Sequence, residues 1–149
     1  MSKNEIDPTV LLFDNFDEPL YLDLLASAAE EANWQALSFS SPDLAASALE
    51  RRCADIGAIV TTLGWRGGIP SHYSLFTACP ARPIISLSNK LGIPRAVMTN
   101  DKNSNQYIRN GRRDIVIPLQ IRGATDKVTT WLGALVDDSS HRGNGSYGE

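Results

Sequence analysis

Five short apolar runs set the main constraint on this chain. They are Thr9-Val-Leu-Leu-Phe13, the more weakly patterned Trp34 to Phe39, Ile56-Gly-Ala-Ile-Val60, Arg95-Ala-Val-Met-Thr99 and Asp114-Ile-Val-Ile117. Each is too short for a stable helix and suits a strand. Thr9 to Phe13 has no polar alternation, which points to a strand covered on both faces, as in a parallel sheet.

Between these runs the spacing turns helical. Pro19 can occupy a first helical turn, and Leu20, Leu24 and Ala28, with Tyr21, Leu25 and Ala29, then recur on one face through about Asn33, with Asp23, Glu30 and Glu31 on the other. Ser41-Pro42-Asp43 opens a second helix. The serine oxygen can take a free N–H, proline fits the first turn, and aspartate suits the positive dipole end. Leu44, Ala45, Ala48, Leu49 and Arg52-Cys53 continue it, which predicts a buried Cys53 thiol. Pro83 to Leu91 reads as a helix stopped by Gly92, in preference to a strand over Pro83 to Leu87. A short helix is expected over Tyr73 to Ala78 and another over Gln106 to Asn110. Thr125-Asp126 caps a last helix with Val128, Trp131, Leu132 and Leu135 on one face.

Strands alternating with helices predict an α/β fold: a single doubly wound, mostly parallel five-stranded sheet with helices on both faces. Residues 1–8 are expected to be a flexible lead-in and residues 9–136 the domain. The Ser, Gly, Asn and charged residues of 137–149 predict a disordered tail. Sites in such folds sit at the carboxyl ends of the strands.

Composition narrows the function classes. The 149 residues are 42% hydrophobic and 21% charged, and a formal net charge of -3 argues against nucleic-acid binding. No apolar run approaches the ~20 residues of a membrane span. Met1 to Pro8 is polar and unlike a signal peptide, and Cys53 and Cys79 form no disulfide framework, so a cytoplasmic location is expected. His72 and His141 have no partner at ligand spacing, which excludes a sequence-evident metal site. No GxSxG or GxxxxGK[ST] pattern is present, and Gly64 to Gly68 reads as a loop rather than a phosphate cradle. Within it, Trp65 either anchors a partner or packs on its own loop. Arg109, Arg112 and Arg113 cluster around Gly111, with Arg122 and Lys127 nearby. They form either a patch for an acidic protein surface or a solvated face.

The element order and a few strand-end residues resemble the receiver domain of bacterial response regulators. The resemblance spans roughly residues 9 to 136 and implies the flavodoxin-like strand order 2-1-3-4-5. Asp14 matches the first residue of the receivers' acidic pair, and Asn15 replaces the second. Thr61 or Thr62 stands where receivers carry the phosphoryl-accepting aspartate. Thr99 matches the threonine or serine after the fourth strand. Pro118 matches the proline after the fifth, but Ile117 replaces the lysine before it. Asn110-Gly111 resembles the end of the fourth receiver helix.

Phosphoryl transfer needs an anionic acceptor, a metal ion and a cation to hold the product. These departures weaken all three, so the resemblance implies weak magnesium binding at Asp14 at most and no other cofactor. The expected function is an atypical stand-alone receiver-like signalling domain without activity, which acts without phosphorylation by binding a protein partner or a second copy of itself. Two alternatives stay open. One is a small-molecule or nucleotide-binding domain using a crevice of Asn15, Thr61, Thr62, Thr99 and Asn100. The other is an unrecognised small enzyme with residues 63–82 as a lid.

Overall fold

The computed structural model describes residues 8–14, 20–63, 82–99, 108, 113–118 and 123–148, with the side chains of 20, 21, 63 and those beyond 136 left undescribed. Strands β1 (Thr9–Phe13), β2 (Gln35–Phe39), β3 (Ile56–Leu63), β4 (Arg95–Thr99) and β5 (Ile115–Ile117) form one sheet in the order β2-β1-β3-β4-β5. Every pair is parallel. Among the described residues the helices are α1 (Leu20–Glu31), α2 (Pro42–Arg52), α3 (Arg82–Leu91) and α4 (Ala124–Gly148). Strand order and helix placement are those expected of a doubly wound sheet.

The pleat divides the core. Val10, Leu12, Ala58, Val60, Met98 and Ile117 face α1 and α4, where Leu25, Ala28, Val128 and Leu132 meet them. Leu11, Phe13, Ile59 and Val97 face α2 and α3 and pack on Ala45, Leu49, Ile84 and Ile85. All five residues of β1 and all five of β4 are buried, which is why those runs show no polar alternation.

Local signals fix the helix ends. Ser41 caps α2 by accepting a 3.3 Å hydrogen bond from the Leu44 N–H, with Pro42 in the first turn. Gly92 adopts φ 71° after α3, and the Ile93 N–H bonds back to Ser88 O at 3.0 Å. Asn33 closes α1 with φ 65°, a conformation that Asn tolerates better than most residues.

Side-chain bonds tie α4 to the body. Trp34 Nε1 donates to Leu132 O at 3.2 Å, Trp131 Nε1 to Arg113 O at 2.7 Å, and Thr129 Oγ1 to Ala28 O at 3.0 Å. Each satisfies a polar group at a buried or half-buried position.

The structure corrects several expectations. β3 runs to Leu63, so Thr61 and Thr62 lie inside the strand rather than after it: Thr61 pairs with both β1 and β4, and pairing with β4 continues through Thr62 to Leu63. Cys53 is exposed rather than buried: α2 stops at Arg52, and Cys53 sits in the turn beyond the face that packs on the sheet. Leu44 lies on the outer side of the first turn of α2, 61% exposed. Trp34 precedes β2 and enters the core instead of pairing. The backbone of α4 stays helical to Gly148, past the Asp137 at which the sequence predicts the fold to end. Extending a formed helix needs no new nucleus, so weak formers can continue it. The expected helix over Tyr73 to Ala78 lies outside the described residues, and the one over Gln106 to Asn110 almost wholly so.

Candidate functional site

Strand order reverses between β1 and β3, and in open α/β sheets that switch point marks the crevice where ligands and signals act. Asp14 follows β1 there. Its N–H donates to Phe39 O at 3.2 Å, and the residue is 1% exposed. The register pairs Phe13 with Thr61, which sets Asp14, one residue on, beside Thr62. Thr62 Oγ1 donates a 2.7 Å hydrogen bond to Asp14 Oδ1. Thr61 points to the opposite face, and its hydroxyl reaches Thr62 O at 3.4 Å, at the long limit for a hydroxyl bond. Of the two threonines, Thr62 is therefore the one beside the carboxylate.

The row continues across the sheet. Thr62 pairs with Met98, and Met98 with Ile117. Asp14, Thr62, Met98 and Ile117 thus form a line along the carboxyl end, on the face covered by α1 and α4. Its members are one carboxylate, one hydroxyl and two apolar side chains that are 0% and 1% exposed. Thr99 ends β4 opposite Leu63 and is 3% exposed. Pro118 follows β5 at the surface.

The remaining sequence candidates are not brought to this row. Asn15, Trp65, Asn100, Arg109 and Arg112 lie outside the described residues. Arg113 is described, half-buried at the other end of β5, with its backbone carbonyl held by Trp131. Thr61, Thr62 and Thr99 are almost wholly buried, so they offer little hydrogen-bonding surface to a ligand.

Sequence reasoning missed a second polar cluster, at the amino edge. Arg95, the first residue of β4, is 2% exposed, and Asp114, just before β5, is 4% exposed. The Arg95 N–H donates to Asp114 Oδ1 at 3.1 Å, and Arg95 Nη1 donates to Ser88 Oγ at 2.8 Å and to Asn89 Oδ1. The available signal was a charged residue opening each of two apolar runs. A charge buried there must find partners.

No helix among the described residues is long and apolar enough to cross a membrane. No protein-family model matches the sequence, and no curated protein does. Solved structures do. A response regulator receiver domain protein from Clostridium thermocellum superposes with TM-score 0.63 at 10% identity, covering 89% of this chain and 97% of its own. The signal receiver domain of a protein described as a Luxo repressor, from Vibrio parahaemolyticus, gives 0.59 at 13% identity, covering 92% and 95%. A receiver domain from Rhodospirillum rubrum gives 0.51 at 11% identity, covering 86% and 93%. What these proteins share with the chain is an architecture, and the chain has the fold of a response regulator receiver domain.

Proposed function

We propose that the chain is a receiver-like signalling module that acts through protein contacts and is not switched by phosphorylation. The observation that carries this reading is the hydrogen bond from Thr62 Oγ1 to Asp14 Oδ1. Thr62 occupies the place, beside the β1 carboxylate, where receivers carry their acceptor aspartate. A neutral hydroxyl is a poor phosphoryl acceptor unless a base activates it and cations steady the transferred group.

The remainder of the row supports the same reading. Ile117 stands at the lysine position and is buried among apolar side chains, so it supplies no charge to a phosphoryl oxygen. Magnesium prefers hard, anionic oxygen in octahedral array, and the Thr62 hydroxyl already takes up Asp14 Oδ1, so the binding we infer at Asp14 is weak at most. With the phosphoryl chemistry gone, the output of the scaffold lies in its surfaces. A protein partner in the cytoplasm, or a second copy of the chain, is the occupant we infer.

Beryllofluoride, a phosphoryl mimic, tests this with magnesium present. Amide resonances of Asp14, Thr62 and Thr99 should stay in place through the titration. Saturable displacement of that set would mean a working phosphate site and would overturn the reading.

A further inference from the structure

The two edges of the sheet, β2 and β5, are built differently. The β5 edge is short, follows Arg113-Asp114 and closes at Pro118, and charge, proline and shortness are what guard an edge against pairing. The β2 edge has no such guard. From Ala32 to Ser41 the chain carries no charged residue, and Gln35 to Phe39 holds neither proline nor glycine.

Pairing with β1 shows which backbone groups of β2 it leaves unused. The Gln35 N–H donates to Pro8 O at 2.7 Å, and the Asp14 N–H donates to Phe39 O at 3.2 Å. Gln35 and Phe39 therefore turn towards β1, and strand alternation turns the N–H and C=O groups of Ala36 and Ser38 outward. No described backbone group meets them there. The Ser38 side chain is exposed, and Leu37 and Phe39 are only half-buried against the α2 side of the core.

A second copy of the same strand fits this edge. With the copies antiparallel about a twofold axis at Leu37, Ala36 of each lies opposite Ser38 of the other. Both outward N–H groups of each copy then find an outward C=O group of its partner. The two Leu37 side chains meet at the axis, and Gln35 lies opposite Phe39, so no like charges face each other across the seam. The exposed charges of the flanking helices, Asp23, Glu30 and Glu31 on α1 and Asp43 and Arg51 on α2, lie on the sides away from the buried Ala28, Ala29, Ala45 and Leu49. The guarded β5 edge disfavours head-to-tail pairing, so the contact closes as a dimer rather than growing into a filament.

We propose that β2 is the docking edge for a second copy of this chain, joined strand to strand in a twofold antiparallel dimer with one continuous sheet. The proposal names the occupant for the reading that output lies in protein contacts, and it rests on that reading. Beryllofluoride tests phosphate independence separately, so either can fail without the other.

Sedimentation of the full chain over a concentration series should show a monomer–dimer equilibrium. Amide exchange at Ala36 and Ser38 should slow as concentration rises, because only the second copy occupies those N–H groups. Ser38→Pro removes one outward donor from each copy, and an edge strand tolerates proline. It should weaken dimerisation about tenfold or more, the scale of losing a hydrogen bond at two equivalent places. Thr130→Lys, at an exposed position of α4, should leave dimerisation unchanged. The exchange measurement uses the unmodified protein and decides the matter even if Ser38→Pro fails to fold. A chain that stays monomeric throughout the series, a dimer whose Ala36 and Ser38 amides exchange as fast as the monomer's, or undiminished dimerisation of folded Ser38→Pro would overturn the proposal.

Discussion

Thr62 and Asp14, on neighbouring strands at the switch point of the sheet, are joined by a buried 2.7 Å hydrogen bond in which the hydroxyl donates to the carboxylate. Thr62→Val keeps the side-chain shape and removes the donor. The carboxylate then loses a buried partner, a cost of about 1–3 kcal/mol. Urea denaturation should show that loss, and Thr62→Ser should retain more stability than Thr62→Val. Equal stability of the valine variant and the unmodified chain would mean that the bond contributes nothing.

Thr62→Asp sets two carboxylates side by side, where like charges repel and a divalent cation can bridge them. Without metal its melting temperature should fall below that of the unmodified protein. Added magnesium should raise it in a saturable way. The unmodified protein should melt at the same temperature with and without magnesium.

A different relationship governs the other end of the core. Trp34 is held by its bond to Leu132 O, and its Cζ3 lies 3.3 Å from where a Cβ on Gly57 would stand. Gly57 is also where the β1–β3 register shifts, between the pairs Thr9–Ile56 and Val10–Ala58. Gly57→Ala should therefore destabilise the protein while Trp34 is present and do so less in a Trp34→Phe background. A double-mutant cycle should return a coupling of about 0.5–3 kcal/mol, the range for residues in contact.

Capping supplies a smaller effect. Ser41→Ala should cost about 1 kcal/mol through loss of the bond to the Leu44 N–H, and Ser41→Asp should cost little. Chemical denaturation of the two variants separates these outcomes.

Exposure of Cys53 at the end of α2 gives a chemical check. In the folded protein its thiol should react with a disulfide reagent nearly as fast as in urea. Strong protection in the folded state would restore the buried placement that the apolar spacing suggested.

Much of this architecture was legible because sequence and fold share a period. The interiors of β1 and β4, Val-Leu-Leu-Phe and Ala-Val-Met, show no polar alternation because both faces are covered, and the Ser41-Pro42-Asp43 start of α2 carries its own mechanism. Gly92 marked the end of α3 for the same kind of reason. Cys53 was misplaced because helical spacing does not reveal where the last turn lets go. The site was only half legible. Asp14 stood out as a polar residue closing an apolar run, but the choice between Thr61 and Thr62 needed the register against β1, which depends on the shift at Gly57. Arg95 and Asp114 looked like ordinary strand-edge charges, since nothing local shows that α3 covers the first and that each finds the other.

Phosphate independence is most directly tested by incubating the protein with acetyl phosphate and magnesium and recording its intact mass. The mass should stay unchanged, and Thr62→Val should likewise gain nothing. Stoichiometric addition of one phosphoryl group to the unmodified chain would contradict it.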